Sequence, residues 1–328
     1  MTKRKKSKKK QKNSKILRNI AWFLAFIALT LIAIIIGYYF GYTDAQHKRV
    51  SSEKAEKKVL PKKSKEENSF HKKLQNVLKK ESKTYNLASH EIENESLAHP
   101  PKISKAVPKS KNLISKPKLA IIIDDVQTAR DVRAIKSLNL PLTMSFLPPR
   151  PGRPNSAKLA AKESFYMVHL PLEAMHFNAN EPNTLRTTDT QSEIDKRVTF
   201  IKKEFPRVHY INNHTGSKFT ADKAAMERLI RALNANDIYF IDSRTIGSTK
   251  VPLVEKEFGL RYVARDVFLD HHMDKAYVLG QIKEAVRVAK ARGHAIAIGH
   301  PHKNTLEAIY ESKALFKDVD LVLVKDIY

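Results

Sequence analysis

The chain contains no cysteine, which excludes a disulfide framework, a thiolate zinc site and a thiol nucleophile together. Any metal therefore has to sit on histidine and carboxylate side chains. The absence fixes no compartment, because exported proteins also manage without disulfides. Acidic residues are scarce in one part only: residues 1–117 hold 28 Lys and Arg against 9 Asp and Glu, and residues 118–328 hold 32 against 25. The net charge of +26 over 328 residues thus belongs mainly to the first third. A nucleic-acid footprint would concentrate basic charge on the folded domain, so no nucleic-acid partner is expected. Nothing in the sequence points to a protein partner.

Charge of either sign is missing from Ile20 to Tyr42, a run of 23 residues that spans roughly 34 Å as a helix, enough to cross a bilayer. No clean small-x-small cleavage site ends the run, which also exceeds the apolar region of about 7–15 residues in a signal peptide. Ten Lys and Arg among residues 1–18 argue for a cytoplasmic N-terminus, and Trp22, Tyr38, Tyr39 and Tyr42 suit the two interfaces. Lys48, Arg49, Lys54, Lys57 and Lys58 also make residues 44–60 basic, so the charge asymmetry favours this orientation without forcing it. The expected organisation is a basic cytoplasmic tail at 1–19, a single-pass transmembrane anchor at 20–42, a flexible Lys-rich stalk at 43–117 and a domain at 118–328. That domain would lie outside the cytoplasmic (inner) membrane, on the periplasmic side. A short helix fits within the stalk around Phe70 to Lys80.

From Lys118 the texture changes to short β-rich runs, LAIII, LTMSF, FYMVHL, HYIN, IYFI, RYVA, AIAI and LVLV, separated by amphipathic segments. This alternation predicts an α/β fold with a parallel sheet, open or closed into a barrel, with functional groups at the carboxyl ends of the strands. Thr220 and Asp274 mark helix starts, and Gly293 marks a stop.

The residues at those strand ends are mostly His and Asp. LAIII ends in Asp124-Asp125, FYMVHL holds His169 and precedes Glu173, and HYIN leads into Asn213-His214. IYFI ends in Asp242-Ser243-Arg244, DVFL in Asp270-His271-His272, and AIAI leads to His300 and His302. Each has an ordinary reading as a cap or a hydrogen-bonded structural residue. Together they supply the imidazoles and the carboxylate that zinc or a similar divalent ion needs with an open position. Asp124 and Asp125 divide naturally into a metal ligand and a general base, with His300 or His302 as the acid toward a leaving amine. Asp242 and Arg244 either orient the base or substrate or form a structural salt bridge. His271 and His272 diverge on an extended chain, so His272 is assigned to the loop surface.

The segments AIIIDDV, HLPLE, NNHTGSKFT, FIDSRT, DVFLDH and HAIAIGHPH, in this order, resemble the divergent polysaccharide deacetylases, relatives of the carbohydrate esterases with the NodB-homology fold. The resemblance implies a distorted (β/α) barrel of about seven parallel strands that removes N- or O-acetyl groups from cell-envelope polysaccharide with a divalent metal, zinc first among them. It implies Asp124 as base, Asp125 as ligand and His300 as acid, with an acetylated polysaccharide or peptidoglycan-like substrate. The chain departs from the family at the usual His-x-x-x-His pair, where it has His169-x-x-x-Glu173 and His214-x-x-x-Lys218. A metal site is then either rebuilt from Asp125, His169 and His214 on three strands or lost. Glu173 could supply an oxygen ligand, whereas Lys218 is expected to face a carboxylate or an anionic substrate. Glu173, Asp242, Arg244, Asp270 and His302 are assigned to substrate binding or orientation. A catalytically silent relative that binds glycan or an envelope partner, and a hydrolase of another bond such as a phosphoester, are the alternatives.

Overall fold

The apolar run that follows Pro117 becomes the central strand of a parallel sheet. In the computed structural model, residues 116–176 and 181–328 are described, with Thr30, Lys72, Leu74, Asn76 and Val77. The tail, the anchor and most of the stalk expected from the sequence lie outside the described residues. Among the described residues no helix is long and apolar enough to cross a membrane.

The chain order is β1 (Lys118–Val126), α1 (Ala129–Ser137), β2 (Thr143–Phe146), α2 (Ser156–Ala160), β3 (Met167–Leu172) and α3 (Gln191–Glu204). It continues with β4 (Tyr210–Thr215), α4 (Ser217–Ala221), α5 (Lys223–Asn234), β5 (Tyr239–Ile241), α6 (Val251–Glu257) and β6 (Val267–Phe268). The last elements are α7 (Lys275–Arg292), β7 (His294–Gly299), α8 (Lys303–Glu311) and β8 (Asp320–Val322). The sheet order is β5-β4-β3-β2-β1-β7-β6, and every ladder is parallel. Strand β8 pairs with Lys118–Ala120 of β1, below the stretch that β2 takes from Ile122 onward.

The expected barrel of about seven parallel strands is present as a curled half-barrel. The run RYVA is not a strand: only Ala264 forms an isolated bridge, to Asp242, and β6 is the two residues that follow Asp266. This diagonal segment spans the seam, joining the end of β5 at Asp242 and β7 at Ile296 through main-chain bonds. The start of α5 also differs from expectation. Asp222, not Thr220, accepts the capping bond, from Ala225 N at 2.8 Å, while Thr220 Oγ1 turns back to the Gly216 carbonyl in α4. Helix α7 begins and ends as the sequence predicts, capped by Asp274 and stopped by Gly293 at φ 87°.

Period-two alternation sorts the strands into two cores. Leu119, Ile121 and Ile123 face outward into the layer under the helices. Ala120, Ile122, Met167, Ile241, Phe268, Ile296 and Ile298 fill the barrel interior, where Val324 and Ile327 join them from the C-terminal segment. Within the stretch expected to be a stalk, Lys72, Leu74, Asn76 and Val77 are helical. Leu74 is fully buried in the outer core.

Candidate functional site

The same alternation that fills the barrel carries polar residues to its mouth. Beyond Ala120 and Ile122 comes Asp124; beyond Met167 comes His169; beyond Ile296 and Ile298 comes His300. All three are nearly fully buried. Asp125 breaks the alternation, which by itself would send it outward. The β1–β2 register shifts between Ile123 and Val126, and Asp125 adopts φ 55°. This bulge turns a second carboxylate into the mouth, at a backbone conformation that Asp tolerates better than most residues.

Three donor atoms meet there. Asp125 Oδ1 lies 3.1 Å from His214 Nδ1 and 3.6 Å from His169 Nε2. Asp125, His169 and His214 offer ligand atoms within 4.8 Å of one another. Asp125 Oδ1 is buried, and although His214 is close, no hydrogen bond to it among the described residues has acceptable geometry. A buried carboxylate oxygen left without a donor and faced by two imidazole nitrogens fits a cation. Burial opposes the charge on Asp125, but the fields of His214, His300 and His169 outweigh it and hold the carboxyl well below its usual range. Burial, followed by the field of His214, pushes His169 down to about 3, so its ring is neutral and able to ligate near pH 7. The two rings stand edge to face, 5.0 Å between centroids.

Asn212, one residue before Asn213-His214, organises this centre and was not singled out from the sequence. Its Nδ2 donates to both oxygens of Asp124, at 3.0 and 2.8 Å, and to Ser243 Oγ at 3.1 Å. Its Oδ1 accepts from Ser145 Oγ at 2.7 Å and faces His169 Nδ1 at 3.1 Å. Ionised Asp124 only accepts, so in that form the amide nitrogen faces Asp124 and Oδ1 is left as the partner of His169. Nδ1 of His169 then carries the proton and Nε2 keeps its lone pair toward Asp125. The signal in the sequence was parity: Asn212 lies two residues from His214 on the same face of β4.

Asp124 rises to about 7, because burial outweighs the opposing effects of His300 and the Asn212 hydrogen bond. His300 rises to about 9: burial lowers it, but the charge and hydrogen bond of Asp270 win, with help from Asp125 and Asp124. Asp270 Oδ1 lies 3.0 Å from His300 Nδ1, and Oδ2 accepts from His300 N and Thr305 Oγ1, each at 2.7 Å. The ring is thus oriented through one nitrogen, and Nε2 stands 4.0 Å from Asp125 Oδ2. His302 stacks beside His300 at 5.6 Å, and His272 is exposed, as expected.

Three assigned residues are not brought to this centre. Glu173 accepts from Lys218 Nζ at 2.8 Å through one oxygen and from Thr187 N and Oγ1 at 2.9 Å through the other. The two positions where the family's histidine pair would continue therefore bond to each other, with Lys218 facing a carboxylate as expected, and Glu173 is not an oxygen ligand. Asp242 has the opposite parity from Ile241 and accepts from Arg244 N, Thr249 Oγ1 and Tyr262 OH. Arg244 Nη1 donates to the Arg265 carbonyl at 3.2 Å. Asp242 and Arg244 are thus structural residues of the seam, not substrate-orienting ones.

Residues 121–328 match the family described as divergent polysaccharide deacetylase. The chain belongs to the divergent polysaccharide deacetylase family. Among its relatives, the uncharacterized protein YibQ of Escherichia coli is 31% identical over 196 residues, covering 59% of this chain and 61% of that one. An uncharacterized protein of Haemophilus influenzae is 32% identical over 208 residues, covering 62% and 74%. The chain thus aligns with about three fifths of the Escherichia coli relative's length. The crystal structure of an uncharacterized protein from Agrobacterium tumefaciens shares the fold, with a TM-score of 0.57 and 20% identity over 68% of this chain and 93% of that one.

Proposed function

We propose that this member of the family is a metal-dependent deacetylase of acetylated envelope polysaccharide, with Asp125, His169 and His214 as the ligands of a divalent ion, zinc by the chemistry of the set. The supporting observation is the convergence of the three donor atoms on one face of a buried mouth, with an oriented carboxylate and an oriented imidazole beside them. One carboxylate and two imidazoles form a three-ligand set of the kind that leaves a coordination position open. The ion would polarise an acyl carbonyl and acidify water. Asp124, held by Asn212, would take a proton from the attacking water. His300, held by Asp270, would give one to the departing amine or alcohol. The uncharged run at 20–42 supports anchoring of this domain at the inner membrane, facing the envelope.

The test is the divalent metal content of the purified full-length chain, by elemental analysis, beside Asp125→Ala and His214→Ala. About one equivalent, lost in both variants, followed by acetate release from acetylated glycan, is the expected outcome. A folded chain that takes up no zinc sinks the hydrolytic reading and leaves a glycan- or partner-binding relative.

A further inference from the structure

Away from the mouth, the diagonal segment that closes the barrel seam walls a cavity of about 210 Å³. Four arginines, Arg244, Arg261, Arg265 and Arg292, line it together with His294 and a single carboxylate, Asp266. Arg292 pairs with a carboxylate, Asp266 Oδ1 at 2.8 Å. Arg244 and Arg265 are fixed by carbonyls, which orient a guanidinium without cancelling its charge. Arg261 Nη1 donates to the Ile327 carbonyl oxygen and to the main-chain oxygen of Tyr328, each at 3.0 Å. Arg265 donates through Nε to Ser243 O at 2.8 Å and through Nη2 to Arg244 O at 3.0 Å, and Arg244 reaches the Arg265 carbonyl. Arg265 is 1% exposed, and its Nη1 is buried with no hydrogen-bond partner among the described residues. The lining thus holds two guanidinium groups, Arg244 and Arg265, that bond to no carboxylate among the described residues. Asp242, behind Tyr262, offsets one of their charges.

An excess of oriented guanidinium groups in a recess is costly unless an anion shares it, and planar donor forks match phosphate-type oxygens in pairs. His294 senses the same field: after burial and against Asp266, the charges of Arg261, Arg292 and Lys118 push its ring down. Arg261 and Tyr262 are exposed at the rim, so a ligand can reach the recess from solvent. We propose that this seam cavity, separate from the candidate metal centre, binds a phosphate-type oxyanion, either free or carried on a small molecule such as a sugar phosphate.

The probe is inorganic phosphate, titrated calorimetrically into the full-length chain against chloride at equal ionic strength, with a hexose phosphate as second arm. The wild type is expected to bind phosphate, and Arg244→Gln/Arg261→Gln to weaken it about tenfold or more, as loss of charge-assisted bonds requires. Asp125→Asn, which alters the mouth, is expected to leave that affinity unchanged. Equal affinity for the two probes identifies a free ion, and tighter binding of the hexose phosphate identifies a carried group. Arg261→Lys keeps the charge but loses the planar fork, so it weakens binding even if the double variant does not fold. Absence of phosphate binding in the wild type overturns the proposal, and so does binding unaltered by the arginine substitutions or lost in Asp125→Asn.

Discussion

Replacing Asn212 by Leu removes the hydrogen bonds that tie Asp124 to His169 while keeping the side chain close in shape. Asn212 serves two carboxylate oxygens of Asp124, two hydroxyls and His169 Nδ1, and it is fully buried. Loss of the acceptor opposite His169 Nδ1 frees the ring to rotate or change tautomer, and outer partners of a ligating histidine are worth about 10–100-fold in metal affinity. That corresponds to about 1.4–2.7 kcal/mol. Stranding Asp124 and the two serine hydroxyls in the interior costs a further 1–3 kcal/mol or so of folding stability for each group left without a partner. The assay is zinc competition with a chromophoric chelator, read beside urea unfolding of the metal-free chain. Ser145→Ala is the internal control: it removes one bond to the same amide oxygen, so stability falls by about 1 kcal/mol with zinc affinity nearly intact. Should Asn212→Leu unfold more easily yet bind zinc as tightly as the wild type, Asn212 would be a structural bolt only, and the argument that it sets the His169 tautomer would be refuted.

Two further outcomes follow from groups outside the candidate metal centre. Glu255 is buried, and burial, reinforced by the charge of Asp242, pushes its carboxyl up to about 9. The folded state therefore holds a proton that the unfolded chain releases above about 4.5, and stability falls as pH rises from there to about 9, by on the order of 1 kcal/mol per unit. Glu255→Gln is expected to flatten that decline and to exceed the wild type in stability at pH 8, measured by urea unfolding at pH 5.5 and 8; parallel curves for the two proteins would disprove the protonated state. Leu74 is fully buried in the outer core, so Leu74→Ala is expected to cost about 2–5 kcal/mol in the full-length chain. An unchanged thermal midpoint would mean that this turn of helix contributes nothing to the domain.

The strand-end rule made much of the site readable in advance. Asp124, His169, His214, Asp270 and His300 were all visible as polar residues terminating apolar runs, and the sheet brings all of them to one mouth. Asp242 followed the same rule and was misassigned, because the rule says which end of a strand a residue occupies and not which face. With Ile241 in the barrel interior, parity alone sends Asp242 outward. Asn212 was missed for the converse reason: it lies within a strand instead of after it, yet shares the inward face with His214. The run RYVA failed as a strand because its pairing is confined to one bridge at Ala264, a matter of how the seam closes that no local propensity encodes. The turn at Leu74 falls inside the short helix expected around Phe70 to Lys80, where Phe70, Leu74, Val77 and Leu78 recur at helical spacing; that Leu74 packs into the outer core of the domain was not legible from that spacing.

Asp125 shows where sequence pattern reaches its limit. Two adjacent carboxylates on a regular strand face opposite sides of a sheet, so AIIIDDV by itself predicts one acid in the mouth and one under the helices. The second acid arrives only because the ladder slips between Ile123 and Val126 and Asp125 takes φ 55°. Such a conformation, costing about 1 kcal/mol or more for a side-chain-bearing residue, persists when its surroundings hold it in place. Here the fields of three histidines favour the charged form of Asp125, while Asn212 fixes its neighbour Asp124. Glu173 and Lys218, at the positions where the resemblance would put the second histidine of each His-x-x-x-His pair, bond to each other, and one histidine from each of two adjacent strands, paired Pro171↔His214 and His169↔Asn212 in register, faces the displaced carboxylate. Asp125, His169 and His214 thus come from β1, β3 and β4, a constellation that the parallel register and the slipped ladder together bring within 4.8 Å.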